Sequence, residues 1–243
     1  TGNGNLDLHI EVPLHDALHT RVKGDYRFAG NTLRLIPALP EFSEATGTLG
    51  FTEKGVSLPG ADATFLGKRV RATGVTEADG SLRFDGQGAI TMTGLRKLVP
   101  NPAWDHLSGE TAVTALIRVR HNLVDVSVDS NLVGVISELP PPMVKDAAER
   151  WPLHFNVRAE SRDGSPESGN TWRVKLDQRV DIAWGEACRD KQCALTRGAV
   201  AVGEDAVLPA QGWRVSGIVK AVNAEQWQPV IEDMLAGFGA GSG

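Results

Sequence analysis

The stretch LDLHIEV, residues 6–12, decides the fold class because apolar and polar residues alternate along it. Successive side chains of a β-strand point to opposite faces, so this period of two predicts a strand with one apolar and one polar face. Runs of the same character follow at 22–28, 32–36, 48–52, 56–65, 70–75, 81–92, 112–120, 123–133, 153–160, 171–184, 199–202 and 213–222. The sequence therefore predicts a mostly β protein.

Short polar segments separate many of these runs. Turn-forming residues at 29–31, 52–55, 77–80 and 120–122 predict hairpins, and hence antiparallel strands in sequential order. Helical patterns are few, at 95–107, 143–150 and 224–238, the last preceded by Asn223 as a capping residue. No strand alternates with a long helix, which disfavours a parallel sheet.

Composition excludes several classes of function. The chain has 243 residues, 41% of them hydrophobic, which is enough for a substantial core. Its net charge is -5 and its cations are dispersed, so no basic stripe is present for nucleic acid. No apolar run reaches the roughly 18 residues that a membrane-spanning helix needs. The abrupt start and the closing GFGAGSG suggest a piece of a longer protein.

Motifs for catalysis or metal binding are weak. HDALH, residues 15–19, spaces two histidines as on a zinc-protease helix, but Pro13 precedes it and no third ligand is evident. No nucleophile-elbow serine occurs. Four acids, Asp125, Asp129, Asp177 and Asp181, fall at alternate strand positions and are interpreted as a solvated sheet face. We expect no enzyme activity, cofactor or metal.

The two cysteines, Cys188 and Cys193, are separated by four residues between two β-like runs. This spacing suits a hairpin turn, and in an oxidising compartment the pair can form a disulfide. Free thiols are the alternative, whereas a metal site needs further ligands that the neighbouring sequence lacks.

Aliphatic and aromatic residues at alternate strand positions form the candidate inner face. Pattern alone favours the core of a closed β-sandwich for these residues, and the alternative is the lining of an open groove. They are Leu8, Ile10, Val12, Phe28, Leu33, Leu35, Leu49, Phe51, Leu82, Phe84, Val126, Val128, Val174, Leu176 and Ile182.

A proline corner carries a resemblance to a known family. Residues 126–157 contain Ser-x-Leu-x-Gly at 130–134, Leu139-Pro140-x-Pro142, Lys145 and then Pro152-Leu153. This order resembles a recurring element of the YhdP family of AsmA-like proteins. The stretches 22–74 and 212–231 are similar to the β pattern and the Trp-bearing helix of that family. We interpret Pro140, Pro141, Pro142, Met143 and Lys145 as a corner or rim of the sheet.

The resemblance implies a segment of a long periplasmic protein anchored in the inner membrane of a Gram-negative bacterium. Such proteins are thought to conduct phospholipid between the two membranes in an apolar groove enclosed by a curved sheet. We therefore expect an open, curved antiparallel sheet, β-taco-like, to which the sequence pattern adds two or three short helices at corners and the C-terminus. The resemblance implies phospholipid as partner, membrane contact through other parts of the parent, no catalytic residue, and a setting that favours the Cys188–Cys193 disulfide.

We expect a single elongated unit over 1–243 with a sub-boundary near 140–152. The alternatives are a ligand-free β-sandwich spacer and a periplasmic hydrolase.

Overall fold

The computed structural model describes residues 2–13, 20–34, 40–98, 101–161, 167–189, 192–218 and 223–239, and only the backbone of Ala103, Ser161, Glu167 and 233–239. The strands are β1 Asn3–Glu11, β2 Arg21–Leu33, β3 Phe42–Thr52, β4 Gly55–Phe65, β5 Lys68–Thr76, β6 Leu82–Thr91, β7 Leu107–Arg120, β8 Leu123–Ser130, β9 Val135–Ser137, β10 Leu153–Ser161, β11 Glu167–Leu176, β12 Val180–Arg189, β13 Gln192–Val202 and β14 Gly212–Gly217. The helices are α1 Met92–Leu98, a 3₁₀ turn Pro102–His106 and α2 Ala224–Gly239.

The strands form one open 14-stranded sheet in chain order, with β9 off the main path on β7. Neighbouring strands with a described register are antiparallel, except that β14 runs parallel to β13. The strand order leaves β1 and β14 as its two ends, so the sheet is not the closed sandwich that pattern alone favoured. The predicted mostly β, largely antiparallel open sheet is confirmed.

The chain divides into two compact units. The first comprises Thr1–Gly88 and Thr114–Val126, and the second comprises Ala89–Val113 and Ser127–Gly243. The division falls within β6, β7 and β8.

In the first unit, turn chemistry sets the hairpins. The predicted turns at 52–55, 77–80 and 120–122 are confirmed. At the second of these, the Asp79 carboxylate accepts hydrogen bonds from the Ser81 backbone N–H at 3.0 Å and from its hydroxyl at 2.5 Å. The predicted turn at 29–31 is wrong, because β2 continues through it. Gly30 has φ 68° and the register slips there, so the chain forms a bulge instead of a hairpin.

In the second unit, β10 to β13 form an antiparallel meander. The predicted single strand 171–184 is wrong, since it is two strands joined by a tight turn. Asp177 has φ 49° and the Arg179 N–H donates to the Leu176 carbonyl at 3.0 Å, which closes that turn. After β13, residues 203–211 cross the sheet and return the chain for the parallel strand β14.

The helices match the predictions in two of three places. α1 and the 3₁₀ turn occupy the region predicted as 95–107, and α2 matches the predicted 224–238. The Asn223 side chain accepts from the Glu225 N–H at 3.0 Å, as expected of an N-cap. Residues 143–150 form no helix, because Lys145 makes a β-bridge with Ser137 instead. No helix among the described residues has both the length and the apolar character needed to cross a bilayer.

Candidate functional site

Strand register gathers large apolar side chains on one face of the first unit. Directly opposed residues of antiparallel strands share a face, and Leu8 lies opposite Gly24, which lies opposite Phe51. Continuing this register defines the N-terminal apolar face: Leu6, Leu8, Ile10, Val22, Tyr26, Phe28, Leu49, Phe51, Val56, Leu58, Val70, Leu82 and Phe84. The face is continuous from β1 to β6.

Glycines let aromatic rings lie flat on this face. A Cβ on Gly74 would lie 2.2 Å from the Phe84 ring, and one on Gly24 would lie 2.5 Å from the Phe51 ring. Each ring therefore covers a neighbouring strand where a side chain is absent. The result is a low surface of rings and branched side chains.

The N-terminal apolar face is accessible to solvent. Leu6, Leu8 and Ile10 are between 45% and 56% exposed, and the other members are half-buried except Leu58. Soluble proteins rarely expose a large contiguous apolar surface unless it binds something. The opposite face of β1 is polar, since it presents Asp7, His9 and Glu11.

The second unit has its own apolar face, built by β10 to β14. Its central row runs from Val157 through Trp172, Trp184 and Gly198 to Trp213. The Trp172 and Trp184 rings are parallel within 4°, with centroids 5.6 Å apart. The C-terminal apolar face is Leu153, Phe155, Val157, Trp172, Val174, Leu176, Val180, Ile182, Trp184, Val200, Val202, Trp213 and Val215.

A crossover segment covers the opposite face of the second unit. Ala206 of the crossover packs on Ala183, Ala199 and Ala201, whose small side chains permit this close approach. Small residues thus lie under the crossover, and the large apolar residues lie on the C-terminal apolar face, which the crossover does not cover. Val215 on that face is 77% exposed.

The crossover also corrects the interpretation of Asp181. This residue was predicted to lie on a solvated face, but it is 1% exposed. Arg173 donates two hydrogen bonds to its carboxylate, one through Nε at 3.0 Å, and the Ala206 N–H donates at 3.1 Å. Hydrogen bonding to this carboxylate raises the pKa of Arg173. Asp181 is thus a structural anchor for the crossover, whereas Asp129 is exposed as expected.

Most residues predicted to form the inner apolar face lie on one of the two apolar faces. Leu8, Ile10, Phe28, Leu49, Phe51, Leu82 and Phe84 lie together on the N-terminal apolar face, and Val174, Leu176 and Ile182 lie on the C-terminal one. Leu33 lies opposite Phe42, whose ring stacks on Phe65 at 4.6 Å. Val126, which is buried, and Val128 share one face of β8, and Val12 follows β1 and is 54% exposed. Leu35 lies outside the described residues.

Sequence reasoning missed the tryptophans of the central row. Aromatic residues are only 6% of the chain, and their spacing along it shows no cluster. Trp172 and Trp184 are equidistant from the turn after Leu176, so recognition of that turn would have paired them.

Cys188 and Cys193 are joined as a disulfide across the end of the β12–β13 hairpin. Cys188 is buried, and the Asn170 side chain amide contacts its Sγ at 3.5 Å. Glu186 approaches both sulfurs, but a disulfide offers no thiolate to a metal ion.

The proline corner is a packed junction within the second unit. Ser137 and Lys145 exchange backbone hydrogen bonds at 3.0 Å, and the Met143 N–H donates to the Pro140 carbonyl at 2.9 Å. These bonds close a compact loop across the exposed Pro141 and Pro142.

Lys145 is buried beneath this corner, with 2% of its surface exposed. Its ammonium donates to the Val135 and Asp146 carbonyls, each at 2.9 Å. Burial lowers the pKa of Lys145. The Arg179 guanidinium lies 3.9 Å from the Trp151 ring centroid and donates to the Pro142 carbonyl at 3.0 Å. The corner thus ties several elements of the unit together.

The geometry offers little for hydrolysis. His154 Nδ1 lies 2.8 Å from the Asp129 carboxylate, but both side chains are largely exposed. In the part of the chain that the structure describes, no serine or cysteine side chain hydrogen-bonds to His154. The HDALH histidines lie outside the described residues.

Comparison with known proteins identifies a family. The family model described as YhdP protein matches residues 1–242. Searches of curated proteins and of solved structures return no significant match.

Proposed function

Because this chain belongs to the YhdP protein family, a transport protein family rather than an enzyme family, we propose that it binds phospholipid acyl chains on its two apolar faces. Each face then serves as a stretch of an apolar groove along which lipid moves between the inner and outer membranes. We place this segment in the periplasm, as part of a parent protein anchored in the inner membrane.

The observation that carries the proposal is the accessibility of the N-terminal apolar face. A structural spacer gains nothing from leaving Leu6, Leu8 and Ile10 about half exposed, whereas a lipid-binding sheet needs such side chains at its surface. The polar side chains on the other face of β1 keep that face in water.

The energetics suit transport. Each acyl CH₂ removed from water contributes about 0.8 kcal/mol without a directional bond, so a chain can be held and still slide. Where β2 and β3 pair regularly, from 23–28 against 47–52, the strand ladder satisfies the backbone groups beneath the apolar side chains. No catalytic group is required.

Paired substitutions on β1 test the proposal. Ile10→Asp places a charge on the apolar face, whereas His9→Asp places the same charge on the polar face of the same strand. Ile10 is 52% exposed and the His9 side chain is 73% exposed, so both variants should fold. We expect native mass spectrometry to find phospholipid on the wild type and on His9→Asp, and several-fold less on Ile10→Asp.

A lipid-free wild type that takes up no fluorescent phospholipid from vesicles would refute the proposal and favour the spacer. Equal lipid content in the two variants would refute the role of this face.

A further inference from the structure

The C-terminal apolar face changes character along its strands. Next to the turn at 177–179 it is aliphatic for two rows of the ladder apart from Phe155, and the third row is the tryptophan row. In the fourth row the two central residues are polar, with Asn170 opposite Glu186, and Ala159 and Leu195 lie on either side of them. Rows are roughly 7 Å apart, since each advances two residues of strand. Aliphatic, indole and polar groups thus follow one another along the face. A phospholipid shows the same order of polarity from its acyl chains to its headgroup, and indoles suit the boundary between the two.

The carboxylate of Glu186 is held at the polar end of this gradient. The Trp172 Nε1–H donates to its Oε2 at 3.1 Å, and the Asn170 amide donates to the same oxygen at 3.2 Å. Both bonds go to one oxygen, and no residue in the part of the chain that the structure describes hydrogen-bonds to Oε1. Among the described residues, no Lys, Arg or His forms an ion pair with Glu186.

Resting on the phospholipid binding proposed above, we propose that Glu186, held by Trp172 and Asn170, and the adjoining indole of Trp184 bind the ammonium group of an amine-bearing phospholipid headgroup. The acyl chains then lie over the aliphatic rows toward the turn at 177–179. This assigns the second unit a preference for amine-bearing phospholipids over anionic ones that lack an amine.

Charge and ring chemistry both favour an ammonium ion. A carboxylate with one oxygen anchored and one oxygen accessible attracts a cation and repels the phosphate and hydroxyls of an amine-free anionic headgroup. Indole rings attract ammonium groups through their electron-rich faces. Trp172 is only 9% exposed and stacks on Trp184, so the half-buried Trp184 is the ring of the pair that offers surface to a ligand. The hydrogen bond from Trp172 holds ring and carboxylate in one arrangement.

A competition between two headgroups tests the inference. The full chain is loaded from detergent micelles that contain equimolar phosphatidylethanolamine and phosphatidylglycerol with identical acyl chains, and native mass spectrometry reports the bound ratio. We expect the wild type to favour phosphatidylethanolamine about fivefold. Glu186→Gln keeps an oxygen acceptor for Trp172 and Asn170, so it should fold normally and bring the ratio close to one. Glu204→Gln makes the same charge change on an exposed residue of the crossover and should leave the ratio unchanged.

The outcomes separate this inference from the proposed function. Both lipids bound equally by the wild type, or an unchanged ratio in Glu186→Gln, would overturn headgroup selection while leaving acyl-chain binding intact. Neither lipid bound would overturn both. Glu186→Lys supplies a second check, because reversal of the charge should reverse the preference toward phosphatidylglycerol.

Discussion

Removal of the Asp181 carboxylate should destabilise the second unit far more than removal of a neighbouring exposed carboxylate. Asp181 is 1% exposed and accepts hydrogen bonds from Arg173 and from the Ala206 N–H. Asp181→Ala therefore leaves a guanidinium and a backbone N–H without their acceptor beneath the crossover. Asp205→Ala is the matched control, because Asp205 pairs with Lys175 while 70% exposed.

The magnitude follows from burial. Breaking a fully buried ion pair costs about 3–5 kcal/mol, because the remaining charge is uncompensated. The Arg173 side chain is 40% exposed, so water can solvate part of the guanidinium and the expected loss falls to about 2–4 kcal/mol. With a urea m-value of about 2 kcal/mol/M, a loss of this size moves the unfolding midpoint down by about 1–2 M.

Urea titration followed by tryptophan fluorescence measures this change, since Trp172 and Trp184 lie in the strands that carry Arg173 and Asp181. We expect Asp205→Ala to unfold at the wild-type midpoint. If Asp181→Ala unfolds at the same urea concentration as Asp205→Ala, the carboxylate does not anchor the crossover and the reasoning is refuted.

Two further predictions concern the corner and a turn. The Trp227 Nε1–H donates to the Pro141 carbonyl at 2.9 Å, and Trp227→Phe removes this hydrogen bond. Amide hydrogen exchange of α2 should then accelerate about fivefold. Unchanged exchange would show that this bond does not hold the helix. Hydrogen bonds from the Ser81 hydroxyl and N–H lower the pKa of Asp79, so NMR titration should find it below the ordinary value of about 3.9. Because the folded-state pKa is depressed, its stabilising contribution is present above that value and is lost as the pH falls through the folded-state pKa. Ser81→Ala should move the titration of Asp79 upward, and an identical curve would contradict the assignment.

Local sequence patterns predict much of the fold. Alternation over 6–12 predicts β1, the polar segments at 52–55 and 77–80 predict hairpins, and Asn223 predicts the start of α2. The errors have local causes too. Gly30 is typical of a turn and of a bulge, and neighbouring residues alone do not distinguish them. The helical pattern at 143–150 does not produce a helix, because the backbone of Lys145 pairs with that of Ser137.

The candidate surface is only partly visible in the sequence. Alternation identifies which residues of one strand share a face, and Leu8 with Ile10 is an example. It does not identify which residues of the next strand lie beside them. The Trp172–Trp184 stack depends on the turn at 177–179, and the anchoring role of Asp181 depends on a crossover that begins more than twenty residues later.

The sequence by itself determined most strands and turns, the helix cap and the family, because each depends on residues close together in the chain or on a motif within it. Tertiary structure alone decided the register, the parallel return of β14, the burial of Asp181 and the gradient from aliphatic rows to Glu186. The physical reason is that the sequence of a strand sets which of its side chains share a face, but not which strand pairs with it. Its partner supplies the backbone hydrogen bonds and the opposing side chains, and that partner is selected by the packing of the whole unit.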